Sequence, residues 1–280
     1  MILSVASGKG GTGKTTVAVN LALSLEGSCS VQFLDCDVEE PNAHFFLKPQ
    51  IHQTQPVFIP IPEIVEEKCT YCGKCAEVCA YNAIAVLKDN VLVFPELCHG
   101  CGGCSLLCPE QAIKEKGQRI GVMEFGAANG LQFIHGKLDI GQAMSPPLIR
   151  EVKKHMNSTR TIIIDAPPGT SCPVVESVKG SDVSLLVTEP TPFGLNDLRL
   201  AVETLRELRI PFGVILNRAD IGDKQVQDYC LKENIPVLMT IPTDRNIAVA
   251  YSEGKTIIET QPAYKQKFLE LFKKVEKLIK

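Results

Sequence analysis

The sequence predicts an α/β protein: a doubly wound, mostly parallel sheet interrupted by a small α+β insert. Three observations lead there. An apolar run at 2–7 meets the glycine-rich stretch SGKGGTGKTT, and a helical pattern follows it. Four later apolar runs of strand length, TIIID at 161–165, VSLLVT at 183–188, FGVILN at 212–217 and VLMTIP at 237–242, alternate with helical patterns such as GLNDLRLAVETLREL at 194–208. Between these halves lies a block holding eight of the chain's twelve cysteines. Strands that alternate with helices and are apolar throughout belong to a parallel sheet covered on both faces.

The elements follow in order. After the glycine stretch, Val17, Leu21 and Leu25 recur at helical spacing up to Gly27, and VQFLD at 31–35 is the second strand. The rhythm then breaks. QPVFIPIPEI at 55–64 is proline-rich and extended and reads as a linker into the insert, which divides the chain into 1–60, 61–113 and 114–280. Within the insert CTYCGKCAEVCAYNAI at 69–84 aligns with CHGCGGCSLLCPEQAI at 98–113, so that all four cysteines and the final Ala-Ile coincide. VLKDNVLVF between the copies is apolar around a turn at Lys88-Asp89-Asn90, a short hairpin. YKQKFLELFKKVEKLIK at 264–280 puts Phe268, Leu271, Phe272, Val275 and Leu278 on one face and reads as a last helix packing on the sheet rather than a membrane-surface helix.

The totals exclude some functions. A formal net charge of -3 lacks the basic excess of a nucleic-acid binder. No apolar run approaches membrane-spanning length, and no basic region precedes an apolar stretch at the start. The expectation is a cytoplasmic protein with neither nucleic-acid nor membrane partners.

Grouped cysteines point to metal rather than disulfides. In each copy three cysteines are spaced three residues apart and the fourth follows four later. Three thiolates on one curled loop can hold a cubane, with small residues such as Gly73, Gly102 and Gly103 letting the backbone approach. The competing readings are zinc or buried cysteines, but zinc ligands rarely show this spacing in duplicate. The segment resembles bacterial-type ferredoxins with two [4Fe–4S] clusters. That resemblance implies that the fourth ligand comes from the other copy: Cys69, Cys72, Cys75 and Cys108 for one cluster, Cys98, Cys101, Cys104 and Cys79 for the other. One departure stands out, Ala80 after Cys79 where Pro109 follows Cys108. Ala80 brings back an N–H near the Cys79 cluster.

Gly8-Lys9-Gly10-Gly11-Thr12-Gly13-Lys14-Thr15 fits the phosphate-loop pattern G-x-x-x-x-G-K-[ST] between a strand and a helix. Backbone N–H groups from Gly8 to Thr16 face ATP or ADP phosphates, Lys14 meets the β- and γ-phosphates, and Thr15 holds Mg²⁺. Lys9 sits where an ordinary loop needs no charge, so it is either a solvated lysine or a functional one. With it the loop is similar to the deviant Walker A family of MinD, ParA, Mrp and the nitrogenase iron protein. The resemblance implies a homodimer with ATP sandwiched between subunits, in which Lys9 acts across the interface like an arginine finger. FLDCDVEEPN at 33–42 is similar to the family's first switch, with Asp37 orienting the attacking water. TIIIDAPPGTS at 161–171 is similar to the second, with Asp165 holding the Mg²⁺ shell and Gly169 sensing the γ-phosphate. Asn217 and Arg218 of ILNR would contact adenine, with Pro242 closing over it. Asp35 and Asp37 could also cap a strand end, and Asn217 could be a turn residue.

Cys172 follows the second switch and is either a small buried residue or an interface thiol offering a further metal or cluster site. Three functions compete: ATP-gated electron transfer to a redox partner, metallocofactor assembly on a client protein, and positioning of MinD or ParA type. The first two share one site and differ in what leaves the protein.

Overall fold

Ile2–Ala6 forms β1, and Gly13 turns the chain into α1, Lys14–Ser24. Then follow β2 (Val31–Asp35), α2 (Ala43–Leu47) and β3 (Gln50–Ile64). The cysteine segment contributes α3 (Lys74–Val78), β4 (Ile84–Val86), β5 (Val91–Val93) and α4 (Gly103–Leu107). The chain continues with β6 (Ile113–Ala128), β7 (Leu131–Leu138), α5 (Pro146–Lys154), β8 (Thr161–Asp165), α6 (Cys172–Val178) and β9 (Val183–Thr188). It ends with α7 (Pro192–Glu207), β10 (Phe212–Asn217), α8 (Gln225–Lys232), β11 (Val237–Ile241), α9 (Arg245–Ser252), α10 (Ile257–Thr260) and α11 (Ala263–Glu276). This computed structural model describes residues 1–279.

The nine-stranded sheet runs β11-β10-β9-β1-β8-β2-β7-β6-β3. Its strands from β11 to β7 are parallel, and β6 and β3 extend it antiparallel. Both faces are covered, which is why the parallel strands are apolar throughout. Leu3, Val5, Phe33 and Ile163 face α1 and α11, whereas Leu186, Val214 and Leu216 face α6, α7 and α8. Tyr264, Phe268, Leu271 and Val275 of α11 are consumed by the first of these cores. Among the described residues no helix is long and apolar enough to cross a membrane.

The stretch expected to be a linker is instead half of a long ribbon. β3 pairs with β6 from Gln50 opposite Ala127 to Ile64 opposite Ile113. Pro56, Pro60 and Pro62 are tolerated because β3 is the edge of the sheet, where a missing N–H breaks no second ladder. The ribbon carries the cysteine segment at its far end. The segment repeats one small plan: a 3₁₀ turn, a cysteine loop and a five-residue helix, with Gly73 at φ 81° and Gly102 at φ 71° starting α3 and α4. β4 and β5 form the expected hairpin.

Candidate functional site

β1 feeds the glycine loop, and tight packing explains two of its glycines. A Cβ on Gly8 would fall 2.1 Å from the Asp197 carbonyl oxygen. Gly13 has φ 95°, and a Cβ there would lie 2.5 Å from the Asn217 amide nitrogen. No side chain caps the start of α1, so its first N–H groups and positive end remain available to an anion. The loop closes one end of a cleft of about 450 Å³. Gly10, Gly11, Gly13, Lys14, Thr15 and Thr16 line the cleft, together with Asp37, Asn217, Arg218 and Pro242. Gly8 and Thr12 pack behind the loop, and Gly169 donates its N–H to the Ser7 carbonyl at 3.0 Å. The Asn217 amide braces the loop, donating to the Thr12 carbonyl at 2.8 Å and accepting from the Arg218 N–H at 3.0 Å. Gly13→Ala meets both an unfavourable φ and this amide, so nucleotide affinity measured by equilibrium dialysis is expected to fall on the order of 100-fold.

Three carboxylates gather behind the loop. Asp35 is fully buried and accepts the N–H groups of Asp37 and Ala43, each at 3.1 Å. Burial and repulsion from Asp165 push its carboxyl well above the usual range. Burial raises Asp37 to about 6 and Asp165 to about 7, in both cases against the pull of Lys14. Both Asp165 oxygens are buried with no hydrogen-bond partner. A buried, partnerless carboxylate beside Thr15 fits the shell of a divalent cation.

This has a measurable consequence. The Asp165 carboxyl is raised on folding, so the protein loses stability as pH rises through about 7. Between pH 6 and pH 8 the loss is on the order of 1 kcal/mol, a few degrees of Tm. Mg²⁺ relieves the repulsion, so the thermal shift given by Mg²⁺·ADP is expected to be larger at pH 8 than at pH 6. Asp165→Asn is expected to flatten the fall without Mg²⁺ and to remove the Mg²⁺ increment; an increment that is independent of pH would refute this.

Lys9 does not line the cleft. Its Nζ lies 3.8 Å from Glu189 Oε2, and Glu189 Oε1 accepts from Arg218 Nη1 at 2.7 Å. Glu189 is only 6% exposed, so one buried carboxylate ties the phosphate loop to the loop after β10. Sequence reading missed Glu189, although a carboxylate directly after the apolar run 183–188 is a legible signal. It also missed Tyr251, which lines the cleft and packs on Phe46 of α2, ring centroids 4.9 Å apart.

The cysteines collect around two further cavities. Cys79, Cys98, Cys101 and Cys104 line one, and Cys69, Cys72, Cys75 and Cys108 line the other. Each therefore takes three cysteines from one copy and the fourth from the other. Ala83 N–H donates to Cys79 Sγ and Ala112 N–H to Cys108 Sγ, both at 3.3 Å, and Gly100 N–H donates to Cys98 Sγ at 3.4 Å. The donor to Cys79 is thus Ala83, at the position matching Ala112 in the other copy. Tyr81 and His99 stack beside the first cavity with centroids 3.5 Å apart. Among the described residues no three Cys, His, Asp or Glu side chains converge as closely as a single metal ion needs. Cys172 begins α6, exposed and outside both cavities.

A sheet that delivers its first strand into a glycine loop, an uncapped helix and a buried cation-seeking carboxylate is built to grip nucleotide phosphates, and it puts the chain among the P-loop NTPases. More narrowly, the chain belongs to the CobQ/CobB/MinD/ParA nucleotide binding domain family, whose model matches residues 3–257. Membership implies ATPase activity. An uncharacterised protein of Methanocaldococcus jannaschii is 32% identical over 92% of each chain. The iron–sulfur cluster carrier protein of Pyrococcus horikoshii is 27% identical over 99% of this chain and 86% of its own length. The septum site-determining protein MinD of Pyrococcus horikoshii, solved with Mg-ADP, has the same fold at a TM-score of 0.62 and 21% identity, covering 99% of this chain and 96% of that one.

Proposed function

We propose that this protein is an ATP-driven iron–sulfur protein, a nucleotide-dependent homodimer that couples ATP hydrolysis to electron transfer through two [4Fe–4S] clusters to a partner protein. The observation that carries the reading is the sorting of eight cysteines into two cavities with crossed ligand sets, on the chain that bears the nucleotide cleft. The duplicated three-plus-one spacing, with each cavity drawing its fourth cysteine from the other copy, favours a cubane over zinc. The N–H groups of Ala83, Ala112 and Gly100 would stabilise sulfur charge. Residues 61–113 would then act as a ferredoxin-like insert between the ATPase parts 1–60 and 114–280.

In the cleft, backbone N–H groups from Gly8 to Thr16 and the Lys14 ammonium would hold the phosphates, with Thr15 and Asp165 placed to hold Mg²⁺. Bound there, Mg²⁺ supplies charge neutralisation at the β- and γ-phosphates, as the clusters supply one-electron storage. Asp37, ionised above about pH 6, would orient the attacking water. Gly169 would report the γ-phosphate, Arg218 and Pro242 would bound the base, and Lys9 would reach the partner's nucleotide. Cys172, exposed next to the second switch, is available for a site shared across the dimer.

Metallocofactor assembly is the second reading, favoured by the carrier named among the relatives. Anaerobic purification with iron and sulfide analysis, followed by ATPase assays with clusters oxidised and reduced, separates the two. A partner reduced at constant iron content supports electron transfer, and iron leaving for an apo-client supports assembly. A protein without iron and sulfide sinks both.

A further inference from the structure

We infer that α5 is the rigid link through which nucleotide state reaches the Cys98–Cys104 loop, and through which that loop acts back on the cleft. The inference rests on the proposed function for its redox consequence, while its mechanical part stands on packing alone. α5 is tied at its start to the loop that carries Asp37 and at its end to α6, the helix that follows the Gly169 loop. At its start, the Ser145 hydroxyl donates to Glu39 Oε1 at 2.7 Å, two residues beyond Asp37. At its end, Lys153 Nζ donates to three carbonyls, those of Glu176 at 2.6 Å, Ser177 at 2.9 Å and Lys179 at 2.6 Å. Those carbonyls finish α6, the helix that leaves the Gly169 loop. One ammonium thus replaces the partners that the last turn of α6 lacks.

The body of α5 leaves no slack between these anchors. Leu148, Ile149 and Val152 are fully buried in a core that also holds Val38 from the loop after β2 and Ala83 and Cys98 from the cysteine segment. The fit is close: a Cβ on Gly136 would meet Val38 at 2.7 Å and Leu148 and Val152 at 3.1 Å, and one on Gly121 would meet the Lys137 carbonyl oxygen at 2.3 Å and Leu148 at 3.1 Å. Close-packed cores pass displacement on rather than absorb it. A shift of the Asp37–Val38 loop or of α6 is therefore passed to α5, and through the core they share it reaches Cys98.

The link is selective. The core around α5 includes Cys98 and packs Cys79, ligands of one cavity, but none of Cys69, Cys72, Cys75 and Cys108. Nucleotide should therefore act on the Cys98 loop and spare the Cys69 loop. Coupling of binding is reciprocal, so loading the first cavity should change nucleotide affinity by the same factor.

Hydrogen exchange by mass spectrometry on the full chain, purified anaerobically with its iron measured, tests this with and without Mg²⁺ and a non-hydrolysable ATP analogue. Amides of 98–104 are expected to slow about fivefold, and those of 69–75 to change by less than about twofold. In Ser145→Ala/Lys153→Met, analogue affinity is expected to stay within about threefold of the parent while the response at 98–104 disappears. Ser145→Ala alone, expected to halve the response, serves if the double variant fails to fold. A full response in variants that bind the analogue normally, or equal responses in both cysteine loops, overturns the link. Iron-free protein that still shows the selective response supports the link while overturning the cluster reading.

Discussion

Lys9→Ala is expected to lower ATP turnover by about a thousandfold, the scale of an arginine finger, while Mg²⁺·ADP binding to the monomer stays within about twofold. The two effects separate because Lys14 lines the cleft and Lys9 does not. Lys9 instead pairs with Glu189 of its own chain at 3.8 Å, so any action on phosphate requires it to leave that carboxylate. Arg218 remains on Glu189 at 2.7 Å, and a buried carboxylate that keeps one cation can release the other without being stranded. Glu189→Gln should therefore free Lys9 and shift ATP-dependent dimerisation to lower protein concentration, measured by sedimentation velocity with the non-hydrolysable analogue. Under the proposed two-chain site, the wild-type rate per chain should rise with protein concentration. If Lys9→Ala loses Mg²⁺·ADP as severely as Lys14→Ala does, Lys9 serves its own nucleotide and the trans role fails.

The second large effect concerns the cysteines. Two clusters would bring about eight iron atoms per chain, and Cys101→Ser should leave about four. The crossed sets make a sharper forecast. Cys79→Ser combined with Cys101→Ser strikes one cavity twice and should still leave about four, whereas Cys79→Ser with Cys72→Ser strikes both cavities and should leave almost none. Were each copy to hold its own cluster, the first pair would empty both sites and the second only one, so the reversed pattern of losses refutes the crossed arrangement. Zinc in place of iron and sulfide would refute clusters altogether.

Much of this was readable before any fold was known, because the chemistry sits in short stretches. The phosphate loop lies within Gly8–Thr15, flanked by the strand and helix it needs, and each cysteine copy fits in sixteen residues. The apolar runs at 161–165, 183–188 and 212–217 are strands in the structure with nearly the same limits. Other parts were hidden by local signals that tertiary context overrode. Three prolines made β3 look like a linker, and only its place at the edge of the sheet allows them to sit in a strand. α5 opens on Pro146-Pro147 and is nine residues long, too short to announce itself by periodicity.

Local spacing along the chain determined its recognisable parts: a loop for phosphates, two copies of one cysteine pattern, and the order of strands and helices. Only the tertiary structure decided how those parts meet. Lys9, Glu189 and Arg218 come together from three separate loops, and Ser145 and Lys153 anchor one helix to the Asp37 loop and to the end of α6. The reason is physical. Ligand spacing is a property of neighbouring residues, whereas a shared buried counter-ion or a common core exists only once distant segments have been packed against one another.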